Sequence, residues 1–89
     1  MADINVLPVG SNVFTVTVSD RGSETTHRVT VPPEDYRRLG EGYASPEEFL
    51  RASFEFLLAR EPKESILGEF EVTVISRYFP EFESEIRRT

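Results

Sequence analysis

His27 is the single imidazole in a chain of 89 residues that has no cysteine. Histidine has the widest chemical repertoire of any side chain near neutral pH, as general base, metal ligand or partner to a nucleophile. A catalytic triad would need His27 beside a serine or threonine presented on a sharp turn, with a carboxylate to orient the ring, and no GxSxG elbow occurs. Metal binding would need further ligands at fixed spacing, and the sequence contains no HxxH, HExxH or DxDxDG pattern. The lack of cysteine removes thiolate chemistry, disulfides, iron–sulfur clusters and cysteine-based zinc sites. Gly10, Gly22, Gly40, Gly42 and Gly68 are too dispersed to form a phosphate-cradling loop. The expectation is no catalytic residue, no cofactor and no metal, with His27 a partly buried, hydrogen-bonded histidine. The alternative is a small ligand-binding protein or enzyme with a pocket near His27 and loop 40–45, using Tyr36, Tyr43 or Arg28 as polar contacts.

The carboxylates are the other candidates. Sixteen acidic residues against ten basic ones give a formal charge of −6. Glu47 and Glu48 suit the first turn of a helix, and Glu69 and Glu71 alternate with apolar residues as on a solvated face. Glu81, Glu83 and Glu85 alternate too, but they adjoin the aromatic run Tyr78-Phe79-Pro80 and Phe82. Aromatic rings supply contact area and carboxylates supply steering, so Tyr78, Phe79, Phe82, Glu81, Glu83 and Glu85 form the candidate partner-binding set. The plain alternative is that these rings cap the core at the end of the chain. No segment is basic: the charge divides as −1 over residues 1–31, −3 over 32–68 and −2 over 69–89. The electrostatic footprint of a nucleic-acid binder is therefore missing, although a Thr/Arg strand face would be the place for one. The sequence shows neither a signal-peptide pattern nor an apolar run of about 18 residues. A cytoplasmic location away from membranes is the expectation.

Three kinds of element must position these residues. Residues 12–19 and 24–31 alternate with period two and are rich in β-branched side chains, and Asp20-Arg21-Gly22-Ser23 supplies the turn of a hairpin. Pairing Ser19 with Glu24 sets Val18 opposite Thr25, Val16 opposite His27 and Phe14 opposite Val29. Phe14, Val16, Val18, His27 and Val29 then share a core face, while Thr15, Thr17, Thr26, Arg28 and Thr30 share a solvated one. Pro32 and Pro33 end the second strand, and residues 34–39 form a helical turn that stops at Gly40. Ser45-Pro46-Glu47-Glu48 predicts a capped helix running to about Arg60, with an apolar stripe wide enough for a sheet and one further surface. Residues 62–67 predict one or two helical turns, and residues 69–75 a third strand with Phe70, Val72 and Val74 on one face. A helix beginning near Thr73 competes with the end of that strand. The C-terminal segment 81–88 predicts a short amphipathic helix, with Phe82 and Ile86 four residues apart.

The fold expected is α+β, one domain over residues 1–89. It has two layers: an N-terminal β-hairpin plus a third strand in an antiparallel sheet, a central helix packed on one face, and a short C-terminal helix. For a chain of 10.2 kDa, size scaling gives roughly 5,300 Å² of accessible surface when folded, enough burial for one modest core. Ten aromatic residues either fill that core or overfill it and require a second subunit. Edge strands and the wide helix face make a homodimer one expected partner, and a basic protein the other. The stretch from Phe54 to Leu67, followed by Ile75-Ser76-Arg77-Tyr78-Phe79-Pro80, resembles small bacterial proteins of about 90 residues that have no assigned function. That resemblance covers the C-terminal half, brings no catalytic residues, and implies a bacterial, cytosolic, stand-alone domain. A looser similarity to acidic antitoxins rests on size, charge and element order alone. Taken together, the sequence describes a non-enzymatic acidic interaction domain that self-associates or binds a basic protein.

Overall fold

The N-terminal third folds as a meander because three successive segments alternate inward apolar residues with outward polar ones. In the computed structural model, which describes residues 2–88, these are β1 (Asp3–Gly10), β2 (Val13–Asp20) and β3 (Ser23–Thr30). Both hairpin turns have two residues and take positive φ, at Asn12 (61°) in the first and at Arg21 (55°) and Gly22 (79°) in the second. The second turn, with both central residues at positive φ, matches the twist of its flanking strands. The β2–β3 register pairs Ser19 with Glu24, Val16 with His27 and Phe14 with Val29, as alternation requires. The ladder runs one pair further than expected, to Asp20 opposite Ser23, because Arg21 and Gly22 alone complete the turn.

Strand β1 is an addition to the sequence reading. Ile4 and Val6 alternate inward and are buried, but Pro8, Gly10 and the exposed Leu7 and Val9 hide the pattern. It pairs antiparallel with β2, Ile4 opposite Val18 and Val6 opposite Val16, until the register shifts between Pro8 and Gly10. The expected third strand needs correction in length and direction. It is β4 (Glu69–Glu71), and it runs parallel to β3, with Arg28 beside Glu69, Val29 beside Phe70 and Thr30 beside Glu71. The chain between them crosses back over the sheet through helices, and such a crossover returns the next strand in the same direction. Sheet order is β1-β2-β3-β4, so the sheet is mixed and β1 and β4 are its edges.

The helices are α1 (Pro33–Leu39), α2 (Pro46–Leu58), α3 (Val74–Tyr78) and α4 (Phe82–Ile86), with a 3-10 turn at Lys63–Ser65. Ser45 caps α2 by accepting the Glu48 N–H at 3.2 Å. The competing helix after Thr73 is the one that forms, although the Thr73 side chain makes no capping bond. At the end of α1, a Cβ on Gly40 would sit 2.5 Å from the Tyr36 ring, so only glycine fits.

The core lies between the sheet and α2. Val16, Val18 and Val29 meet Phe49, Leu50 and Phe54, all fully buried, while the Thr15/Thr17/Thr26 face has no layer over it. The width of the α2 stripe has a direct cause: Phe56 turns away from the sheet and packs edge-on against Phe79 and Phe82, at 5.9 and 5.1 Å between centroids. Accessible surface is 5299 Å², which is what size scaling gives for one folded chain of this mass. Six of the seven phenylalanines are buried within the chain, and Phe79 is half-buried.

Candidate interaction surface

His27 projects from β3 into the core and is 2% exposed. Its Nδ1 lies 2.8 Å from the Leu67 carbonyl, which can only accept, so Nδ1 carries the proton. Its Nε2 lies 2.8 Å from the Thr25 hydroxyl, which donates to it. The ring packs on Phe54 with centroids 5.3 Å apart. Both nitrogens are engaged, one of them by main chain, and the residue ties β3 to the segment entering β4. The polar groups of the alternative pocket do not converge on it. Arg28, the next residue along β3, turns to the open face; the Tyr43 hydroxyl donates to the Ile86 carbonyl at 2.6 Å; Tyr36 and Tyr43 both pack on Phe49. Among the described residues, no group of three His, Cys, Asp or Glu could hold a metal ion.

The aromatic and acidic cluster near the C-terminus divides into two parts. Glu83 accepts from Arg38 at 2.6 Å and from the Ser76 hydroxyl at 3.2 Å. Glu81 and Glu85 each meet Arg60 at 3.2 Å, and that guanidinium lies 3.5 Å above the Phe56 ring. Phe82 is fully buried and Phe79 half-buried. Glu81, Phe82, Glu83 and Glu85 therefore fasten α4 to α1 and α2. Tyr78 is 65% exposed and stands apart from them.

The fastening is sensitive to acid. The bond from Arg38 holds the Glu83 carboxyl below its ordinary 4.5, and the Glu81 carboxyl is held down by its own backbone N–H and then by Arg60. A depressed carboxyl contributes stability that is present above its unfolded pKa and is lost as pH falls through the folded one. Thermal stability is thus expected to drop as the pH is taken below about 4.5, and Arg38→Met is expected to flatten the part due to Glu83. Melting curves across pH 2.5–7 for both proteins, read with the ~4.5 reference in mind, check this.

The surface also carries an apolar groove of about 160 Å³ between the end of α2, the segment before β4, and α3. Leu57, Leu67, Phe70, Val74 and Tyr78 line it, and Glu61 is the one charged residue on its wall. Leu67 is 45% exposed. A pocket for a drug-sized molecule usually takes about 300–1,000 Å³, so this one suits a single apolar side chain. Of the expected set, Tyr78 and Phe79 reach it. No local signal in the sequence marks Leu67 and Val74 as neighbours, because only the parallel placement of β4 brings them together. Compared with protein-family models, curated proteins and solved structures, the chain matches none.

Proposed function

We propose that the chain is a non-enzymatic, acidic, cytoplasmic interaction domain that binds a basic protein partner through the groove between Leu67 and Tyr78. The observation that carries this reading is an exposed tyrosine and an exposed leucine flanking a cavity of single-side-chain size, with Glu61 on its wall, in a chain of charge −6. Tyrosine at the rim of a small apolar pocket is a recurrent anchor of protein interfaces, and net negative charge steers basic partners. The engagement of both His27 nitrogens supports a role without catalysis. Several cations are already paired within the chain, Arg38 with Asp35 and Glu83, Arg60 with Glu81 and Glu85, and the buried Lys63 with Glu64 and the Asp20 carbonyl, which favours a protein over a nucleic acid. No helix among the described residues is long and apolar enough to cross a membrane, and the absence of cysteine suits the reducing cytoplasm of a bacterium.

Tyr78→Glu and Leu67→Asp replace exposed side chains and leave the core intact. Each is expected to weaken binding of Lys/Arg-rich peptides that carry a large apolar residue by at least tenfold in calorimetric titration. Unchanged affinity in both variants, or equal binding of acidic peptides by the parent protein, overturns the reading. Sedimentation of the parent protein separates this partner from self-association, the other partner consistent with the sequence.

A further inference from the structure

The two edges of the sheet differ in what they offer. At β1, the Arg51 guanidinium donates to the Ile4 carbonyl, so that carbonyl is turned away from β2, and Val6 and Pro8 share its side by alternation. Pro8 has no N–H to give, the Ile4 carbonyl is occupied, and the register breaks between Pro8 and Gly10. Each of these blunts an edge against further pairing. At β4, the Arg28 N–H donates to the Gly68 carbonyl at 2.8 Å and the Val72 N–H to the Thr30 carbonyl at 3.0 Å. Gly68, Phe70 and Val72 thus face β3, and Glu69 and Glu71 direct their N–H and C=O groups outward. Both glutamates are exposed and, among the described residues, neither carboxylate has an ion-pair partner. This open edge adjoins the groove, since Phe70, the residue between the two glutamates, lines its wall.

We infer that β4 accepts an extended segment of a basic partner protein as a fifth strand, seating one apolar side chain in the groove between two basic residues. The inference rests on the interaction reading above and specifies its ligand. In a paired strand, a residue beside Phe70 projects to the same face and enters the groove, and its two neighbours project to the other face beside Glu69 and Glu71. The recognised pattern is Lys/Arg–apolar–Lys/Arg, with main-chain bonds supplying affinity and the groove and carboxylates supplying selection. A helical ligand would need anchor pockets for successive turns and would leave the edge unpaired. A second copy of this chain is not the occupant, because no two of its Lys or Arg residues lie two positions apart.

The test uses the full chain and a capped peptide, Lys-Val-Lys-Leu-Lys-Val-Lys, in two further forms: backbone N-methylated at the lysines, or N-methylated at the apolar residues. Strand addition uses the N–H groups of alternate residues only. One methylated form is expected to bind at least tenfold more weakly and the other like the parent, and the parent peptide is expected to slow amide exchange at Glu69 and Glu71 at least tenfold. If both methylated forms bind like the parent, or a cluster-scrambled isomer binds equally well, strand addition is overturned while the basic-partner reading stands. If the peptide and other basic peptides all fail to bind, both fall.

Discussion

Phe54→Ala is expected to remove about 3–5 kcal/mol of folding stability, a large share of the roughly 4–13 kcal/mol that a domain of this length possesses. The ring is fully buried and reaches from α2 to side chains of β3 and β4, 5.3 Å from the His27 ring and 6.1 Å from Phe70. Truncation forfeits the transfer energy of the ring and leaves a cavity whose far walls belong to two strands. Those walls cannot collapse inward without breaking the β3–β4 ladder, so relaxation recovers little. Urea unfolding reads the effect as a lower midpoint with little change in slope. A loss below about 1 kcal/mol would mean that α2 does not pack on the sheet at this ring.

His27→Leu conserves an apolar shape while deleting both hydrogen bonds, and is expected to cost about 1–3 kcal/mol, chiefly for the stranded Leu67 carbonyl. The more informative effect is local. The next bond along the chain is Arg28 N–H to Gly68 carbonyl, so releasing Leu67 loosens the entry to β4 and the wall of the groove. Amide exchange at 68–71 is expected to accelerate well beyond that of β1 and β2, and basic-peptide affinity to fall with it. A uniform loss of protection across the sheet would show that His27 contributes only general core stability. Retention of tight peptide binding would detach the groove from this histidine.

The hairpin, the capped helix and the inward face of His27 are legible in the residues, because each follows from a local period or from cap chemistry. Val16 opposite His27 needs only alternation and a turn. The signals fail where a tertiary partner decides. Strand β1 carries just two inward apolar residues, Ile4 and Val6, before Pro8, and it is held by pairing with β2 and by Arg51 from α2. Strand β4 shortens to three residues because the chain turns at Val72 and Thr73 into α3, and its direction is set by the crossover and not by anything within Glu69–Glu71.

The candidate site shows the same division. Alternation of Glu81, Glu83 and Glu85 with Phe82 marks an amphipathic helix, but their use as internal fastenings depends on Arg38 and Arg60, 45 and 21–25 residues away in sequence. Tyr78 is the exposed ring of the aromatic run, and its neighbours in the groove come from α2 and from the segment before β4. Among the carboxylates that form no ion pair, Glu61, Glu69 and Glu71 are the ones that stand around this groove and the open edge beside it.

The most direct measurement is an amide chemical-shift map of the isotope-labelled protein titrated with a Lys/Arg-rich peptide bearing one leucine. The expected result is a set of saturable shifts confined to residues 65–79 and Leu57–Glu61, weakened by added salt and abolished in Tyr78→Glu. Shifts centred on β1 or on the Thr15/Thr17/Thr26 face, or saturable binding that Tyr78→Glu leaves unchanged, would contradict the assignment of the groove as the docking surface.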